Sequence, residues 1–297
     1  MKRKIIVGSR ESKLAVVQSM EVADHLRRVL PEAEVRLLTM KTTGDRILGR
    51  TLDRIGGKGL FVRELDRALR AGTVDLTVHS LKDVPAELPE DLPLVGYSRR
   101  ADPRDALVLP RGCTAPDPSL PIGTASFRRR LQLENLYPGF EVRPVRGNLQ
   151  TRLRKLEEGQ YGALVLAAAG LKRMGLEDRI ARYFTVDEMI PAAGQGILAI
   201  QGRRGEAHDW LAGYADEETA WAARCERAFV RELNGGCSSP VCAYAEIVGG
   251  TLLLRGLYYD EGTGRARTGR LSGQVSQAEA VGVRLARVLR DGGEVEP

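Results

Sequence analysis

Aromatic residues make up only 5% of the 297 positions, so the cores must be aliphatic and a base-stacking nucleic-acid surface has little to draw on. There are three histidines, and the four cysteines (Cys113, Cys225, Cys237, Cys242) are far apart or at spacings unlike CxxC. That argues against a metal site of the zinc kind and reads as free thiols in a reducing cytoplasm. No window approaches 18 apolar residues, which leaves no membrane span, and the run Ile5 to Val7 is too short for a signal-peptide core. Neither GxxxxGK[ST] nor GxGxxG occurs, so nucleotide binding has no positive support. The stretch GGKGLF at 56–61 is Gly-rich without the P-loop spacing and reads as a loop, with Lys58 able to reach an anion. No repeat of fixed period and no low-complexity tract is present.

What remains is an ordinary globular balance, 43% hydrophobic and 28% charged, in a chain long enough for two or three domains. The net charge of +6 fits several kinds of anionic partner, and local clustering must choose among them. Strand and helix signals alternate. KIIVG at 4–8 reads as a buried strand, and Ser12 as the cap of a helix with Val16, Met20, Ala23, Leu26 and Leu30 on one stripe. In VDLTVHS, Val74, Leu76 and Val78 alternate with Asp75, Thr77 and His79. Tyr97 to Asp102 reads as a crossing into a second unit. There a helix is expected from Phe127 to Leu136, another from Leu149 to Glu158, and a central strand from Ala163 to Ala169. From Asp216 a long helix striped by Trp221, Cys225, Ala228 and Leu233, then strands joined by Gly-rich turns and a last helix through Ala280, Leu285 and Leu289, describe a small α+β unit. The whole predicts an α/β chain.

The most informative local feature is GTASFRRRLQ at 123–132. Ser126 can cap the helix, yet its first turn holds Arg128, Arg129 and Arg130 where the helix dipole favours acids. An anion bound there removes the conflict; a solvated basic face is the alternative. Arg146 precedes a helix that Asn148 can cap, with Arg152 one turn inside, and Arg173 follows the ALVLAAAG run. Three arginine-bearing segments point to a ligand with several carboxylates or phosphates, though each arginine singly is compatible with plain surface. HSLKDVP at 79–85 sets Lys82 and Asp83 at a strand end, where a carboxylate can stabilise a developing cation or move a proton. Taken alone, Asp83 before Val-Pro is more often a turn former or helix cap. Cys237 follows Asn234-Gly235-Gly236, where missing side chains let another group approach the sulfur. Cys225, on an apolar stripe, reads as core.

Together these segments resemble the porphobilinogen deaminase family. The resemblance rests on GSRESKLA (8–15), GGKGLFVRELD (56–66), HSLKDVP (79–85), DPRDA (102–106), GTASFRRRLQL (123–133), RGNLQTRL (146–153), LAAAGLKRMGL (166–176), PAAGQGILAI (191–200) and NGGCSSP (234–240), in order over about 230 residues. It implies a hydroxymethylbilane synthase, a transferase of tetrapyrrole synthesis. Such an enzyme joins four porphobilinogen molecules onto a dipyrromethane cofactor held by a thioether, here at Cys237. Asp83 is implied as the catalytic residue. The implied cofactor and substrate contacts are Arg10, Ser12, Lys58, Ser80, Lys82, Thr124, Ser126, Arg128, Arg129, Arg146, Arg152, Arg173 and Gln195, with a mobile loop at about 42–59. The implied fold is two α/β domains of the periplasmic-binding-protein type II kind around a cleft, plus a small α+β C-terminal domain. Domain 1 is 1–97 with 196–214, domain 2 is 98–195, and domain 3 is 215–297. A cytoplasmic monomer acting on a small molecule, with no nucleic acid or membrane partner and no metal, completes the expectation. Ala125 and Phe127 stand where many members have Ser and Leu, so Ala125 is not carried over. A non-catalytic two-lobed anion-binding protein explains the arginines equally well but leaves Cys237 unexplained.

Overall fold

The structure is a computed structural model that describes residues 4–46, 62–235 and 240–293. Lys58, Phe61, most of the expected loop at 42–59 and Cys237 lie outside the described residues.

Three sheets organise the chain. In the first, β1 (Lys4–Arg10) lies between β2 (Glu34–Met40) and β3 (Leu76–Ser80) and runs parallel to both. On the other side of β3, β10 (Leu198–Gln201) pairs antiparallel and carries the edge strand β4 (Leu94–Tyr97). The second sheet repeats this order. Its β6 (Ile122–Gly123) lies between β7 (Val142–Arg143) and β8 (Ala163–Ala167), followed by antiparallel β5 (Asp105–Val108) and edge strand β9 (Ile180–Tyr183). In each sheet the antiparallel strand is the one reached from the other unit, so the chain crosses between the units near 98–104 and again near 191–197. The third sheet is an antiparallel meander of β11 (Val241–Val248), β12 (Thr251–Asp260) and β13 (Arg265–Gln274). Gly249 and Gly250 close its first hairpin with φ of 57° and 78°, the left-handed pair that such a two-residue turn requires. This is the expected mixed α/β architecture with a small α+β unit at the C-terminus.

The helices follow local signals where those were strong. α1 (Lys13–Val29) is capped by Ser12, whose hydroxyl accepts from the Ala15 N–H at 3.3 Å. A one-turn α2 (Thr43–Arg46) and α3 (Arg63–Arg70) follow, the latter burying Leu65 and Leu69. α4 spans Phe127–Leu136, as expected, and α5 (Leu149–Glu157) is capped by Asn148 accepting from the Thr151 N–H at 2.9 Å. The run expected as strand to Ala169 leaves the sheet at Ala167, because Ala168 begins α6 (Ala168–Arg173). α7 (Glu217–Glu232) and α8 (Ala278–Asp291) cover one face of the third sheet, with Phe229, Leu254 and Leu285 at its core.

The expected stripes hold in the main, since Met20, Ala23, Leu26 and Leu30 of α1 and Trp221, Cys225 and Leu233 of α7 pack into their cores, but the buried faces extend beyond them. In α1 the buried residues are Gln18, Ser19, Val22, Ala23, His25 and Leu26, because Gln18 and His25 find partners in Ser80 and the Trp210 carbonyl. α7 is buried on two sides, since it faces its own sheet and also the crossings. In α8 it is Ala278 and Val281, not the exposed Ala280, that pack inward. No helix among the described residues is long and apolar enough to cross a membrane.

Candidate active site

Parallel sheets of this kind bind ligands beyond the carboxyl ends of their strands, and the expected residues gather there. Arg10 ends β1, Ser80 ends β3, and a single 3-10 turn, Leu81–Asp83, carries Lys82 and Asp83. Across the cleft, Thr124, Ser126, Arg128 and Arg129 follow β6, while Arg146 and Arg152 follow β7. The halves meet electrostatically. Arg152 feels Arg129 and Arg146 from its own side and Asp83 from the other. Burial and those two arginines lower its pKa to about 10. Burial, with Arg129 next, pushes Lys82 down to about 8 although Asp83 and Asp105 oppose the shift. Five cations, Lys82, Arg128, Arg129, Arg146 and Arg152, thus surround two carboxylates, Asp83 and Asp105.

The arginine run resolves residue by residue. Arg128 and Arg129 are 4% and 6% exposed, which rules out a solvated basic face for them, and the anion that offsets the helix dipole is Asp105 of this chain. Arg128 reaches both its oxygens at 2.7 and 3.3 Å; Arg129 donates to Oδ1 through Nε at 3.1 Å and Nη2 at 2.7 Å. Burial alone would raise the Asp105 pKa, but the two guanidiniums outweigh it and hold the carboxyl below the ordinary range. Arg130 points outward instead and pairs with Glu134. Ser126 occupies the cap position without a capping bond from its side chain; its N–H donates to the Thr124 hydroxyl at 3.3 Å.

Gln195, fully buried at the return crossing, ties the halves together. Its amide nitrogen donates to Asp105 at 2.8 Å and to the Pro103 carbonyl at 2.7 Å. Its oxygen accepts from Lys82 at 3.3 Å and Arg128 at 3.2 Å. Gly194 and Gly196 flank it at φ of 75° and 89°, and a Cβ on Gly194 would lie 2.6 Å from the Leu81 side chain. Ser80 Oγ lies 3.0 and 3.1 Å from the Gln18 amide, and Ser12 is engaged in its cap. Arg173 is drawn elsewhere: it donates to Glu21 of α1 at 3.0 Å and to the Gly196 carbonyl at 3.2 Å.

A cleft of about 630 Å³ opens among these groups. Lys82, Val84, Pro85, Ala86, Ser126, Arg128 and Ala192–Ala193 line it together with Arg227, Val230 and Val241 of the third unit. Another cleft, of about 340 Å³ beside Lys4, Asp75 and His208, lies at the amino end of the first sheet, the wrong end for this chemistry.

Three functional groups escaped the sequence reading. Asp105 lay inside the quoted DPRDA stretch without a role, and the structure sets it at the head of the buried strand β5. Glu226, fully buried, accepts from Arg100 at 2.6 Å and from the Gly194 and Ala245 N–H groups at 2.6 and 2.7 Å. Arg227 gave no local signal at all.

Comparison with known proteins decides the family. Residues 5–209 match the family described as porphobilinogen deaminase, dipyromethane cofactor binding domain, and residues 220–291 match porphobilinogen deaminase, C-terminal domain. The chain belongs to the porphobilinogen deaminase family. A porphobilinogen deaminase of Ruminiclostridium cellulolyticum is 53% identical, covering 97% of this chain and 98% of its own. One of Acetivibrio thermocellus is 51% identical, covering 98% and 99%. Among solved structures, a periplasmic aliphatic sulphonate binding protein from Escherichia coli matches at TM-score 0.39 and 11% identity, over 79% of this chain and 71% of that one. For a porphobilinogen deaminase, whose cofactor is a dipyrromethane, the cationic excess in the cleft has a clear use: an acidic ligand.

Proposed function

We propose that this cleft carries out the hydroxymethylbilane synthase reaction, with Asp83 as its catalytic carboxylate. Four porphobilinogen molecules are joined head to tail. In each condensation the C–N bond of the aminomethyl group breaks, its electron pair leaves with nitrogen as ammonia, and the methylene carbon is left cationic. The α-carbon of the neighbouring ring attacks that carbon and gives up its proton. Water finally releases the linear tetrapyrrole hydroxymethylbilane. The observation that carries the reading is a carboxylate on the turn after β3, coupled to Lys82 beside it and to Arg152 across the cleft. A fixed negative charge facing a transient cation stabilises the transition state more than the ground state.

The residues present suit a dipyrromethane. Two pyrrole rings, each with an acetate and a propionate, offer carboxylates to Lys82, Arg128, Arg129, Arg146 and Arg152, and hydrogen-bond acceptors to Thr124 and Ser126. Burial, with Arg129 next, depresses Lys82, and ligand carboxylates beside it oppose that shift. Bound there as a thioether to Cys237, the cofactor supplies a ring with a free α-carbon on which the chain grows. Arg10, Ser12, Lys58, Ser80 and Gln195 complete the proposed contacts, and Arg173 joins them only by giving up Glu21. In this reading domain 1 is 1–97 with 196–214, domain 2 is 98–195, and domain 3 is 215–297. The enzyme works as a cytoplasmic monomer on porphobilinogen, without nucleic acid or membrane.

Intact mass and turnover test this together. Asp83→Asn is expected to fold, to keep the added mass of two pyrrole units, and to lose on the order of 100-fold or more in rate. Cys237→Ser is expected to weigh only what its amino acids sum to. Wild-type turnover in the first variant removes the role of Asp83; added covalent mass in the second removes the attachment site.

A further inference from the structure

The third unit reaches the cleft through Val241 of β11 and one stripe of α7. Thr219, Ala223, Glu226, Arg227 and Val230 recur at helical spacing, on a different face from Ala222, Cys225 and Phe229, which enter the unit's own core. The Thr219 hydroxyl accepts from the Arg100 N–H at 3.1 Å, Ala223 packs against Leu81, Val84 and Ile197, and Glu226 holds Arg100 and Gly194. Arg227 makes the contact nearest the chemistry. Its Nη2 donates to the carbonyls of Pro85 at 2.8 Å and Ala86 at 3.0 Å, two and three residues beyond Asp83. The backbone there needs such a tie. The Val84 N–H closes the Asp83 turn onto the Leu81 carbonyl at 3.0 Å, but Pro85 has no N–H to continue the ladder.

We propose that Arg227 is a positioning residue for the condensation: by gripping the Pro85 and Ala86 carbonyls it sets the Asp83 turn in register with α7, the helix that leads in sequence to the Gly-Gly-Cys segment. The proposal rests on the functional reading given above. It assigns to Arg227 the geometry of the catalytic turn, and no carboxylate of the ligand. One Nη2 bridging two adjacent carbonyls ties the stretch after that turn to α7 at two acceptors.

Arg227→Gln and Arg227→Lys test it in the cofactor-loaded enzyme. The expected result is full added mass in both, KM within about twofold of wild type, and kcat lowered by roughly tenfold in Arg227→Gln and by less in Arg227→Lys, as for a misplaced catalytic group. Hydrogen exchange in peptides covering residues 86–88 is expected to speed up in Arg227→Gln while α1 is unchanged. Unchanged kcat, unchanged exchange at 86–88, or a raised KM with kcat preserved, which marks direct carboxylate binding, overturns the proposal. If wild type itself carries no added mass, the attachment reading fails, and the exchange measurement still decides the clamp.

Discussion

The two five-stranded sheets share one strand order, and in each the antiparallel strand beside the third parallel strand carries a buried polar side chain. In β10 it is Gln201, which sits 3.1 Å from His79 Nε2, donates to the Leu92 carbonyl at 2.9 Å and also bonds Asp66, whose carboxyl pKa is raised by burial. In β5 it is Asp105, which is ionised and holds two guanidiniums. The difference follows from what each half presents to the cleft. The first half offers one carboxylate on a half-buried turn and aims no arginine pair from a helix start. The second half aims a pair of arginines from a helix start, where the dipole already repels them, and needs a counter-charge beneath. The largest effect of breaking this contrast is therefore expected at Asp105. Asp105→Asn leaves two buried guanidiniums uncompensated, at a cost of about 3–5 kcal/mol. Denaturant unfolding measures it. An Asp105→Asn chain as stable as wild type shows that the buried charges are compensated elsewhere. Losing a carboxylate thus costs rate in one half, at Asp83, and stability in the other.

The buried His79 of the first half yields a smaller, pH-dependent effect. Burial, with Arg10 adding to it, pushes the His79 imidazole down to about 4, against a hydrogen bond to Gln201 that favours the charged form. The same side chain in the unfolded chain titrates near 6.5. Between these values the unfolded chain holds more protons, so the contribution is complete above about pH 6.5 and is lost as pH falls toward 4. The expected loss between pH 7 and pH 5 is about 2 kcal/mol. His79→Asn should flatten that part of the stability curve, whatever its own baseline. An equally steep fall in the variant assigns the slope to other groups.

How legible all this was depends on the distance between partners. Caps at Ser12 and Asn148, the bounds of α4 and the crossing around Gln195 carry their signals within a few residues. So do Lys82 and Asp83, set by a strand end and a proline. Asp105 does not: its partners Arg128 and Arg129 stand 23 and 24 residues away. Glu226 lies 126 residues from Arg100, and Arg227 lies 142 from Pro85. Local pattern found the apolar side of α1 but missed Gln18 and His25, which are polar by type and buried only because distant groups satisfy them.

The smallest effect is expected where residue type predicts the least difference. Arg128, Arg129 and Arg130 are neighbours of one kind, and sequence alone gives each the same claim on an anion. A helix turns about 100° per residue, so the run cannot face one way. The Arg130 side chain remains 49% exposed, pairs with Glu134 at 3.4 Å and lies over the Phe127 ring at 4.6 Å. An exposed pair one helical turn apart contributes about 0.3–0.5 kcal/mol. Arg130→Gln should therefore shift thermal stability only slightly and leave turnover within about twofold of wild type. Arg129→Gln, one position earlier, should cost stability and cofactor loading together. If the two variants behave alike in melting and in turnover, the inward and outward division of the run is wrong, and with it the claim that Asp105 selects which arginines serve the cleft.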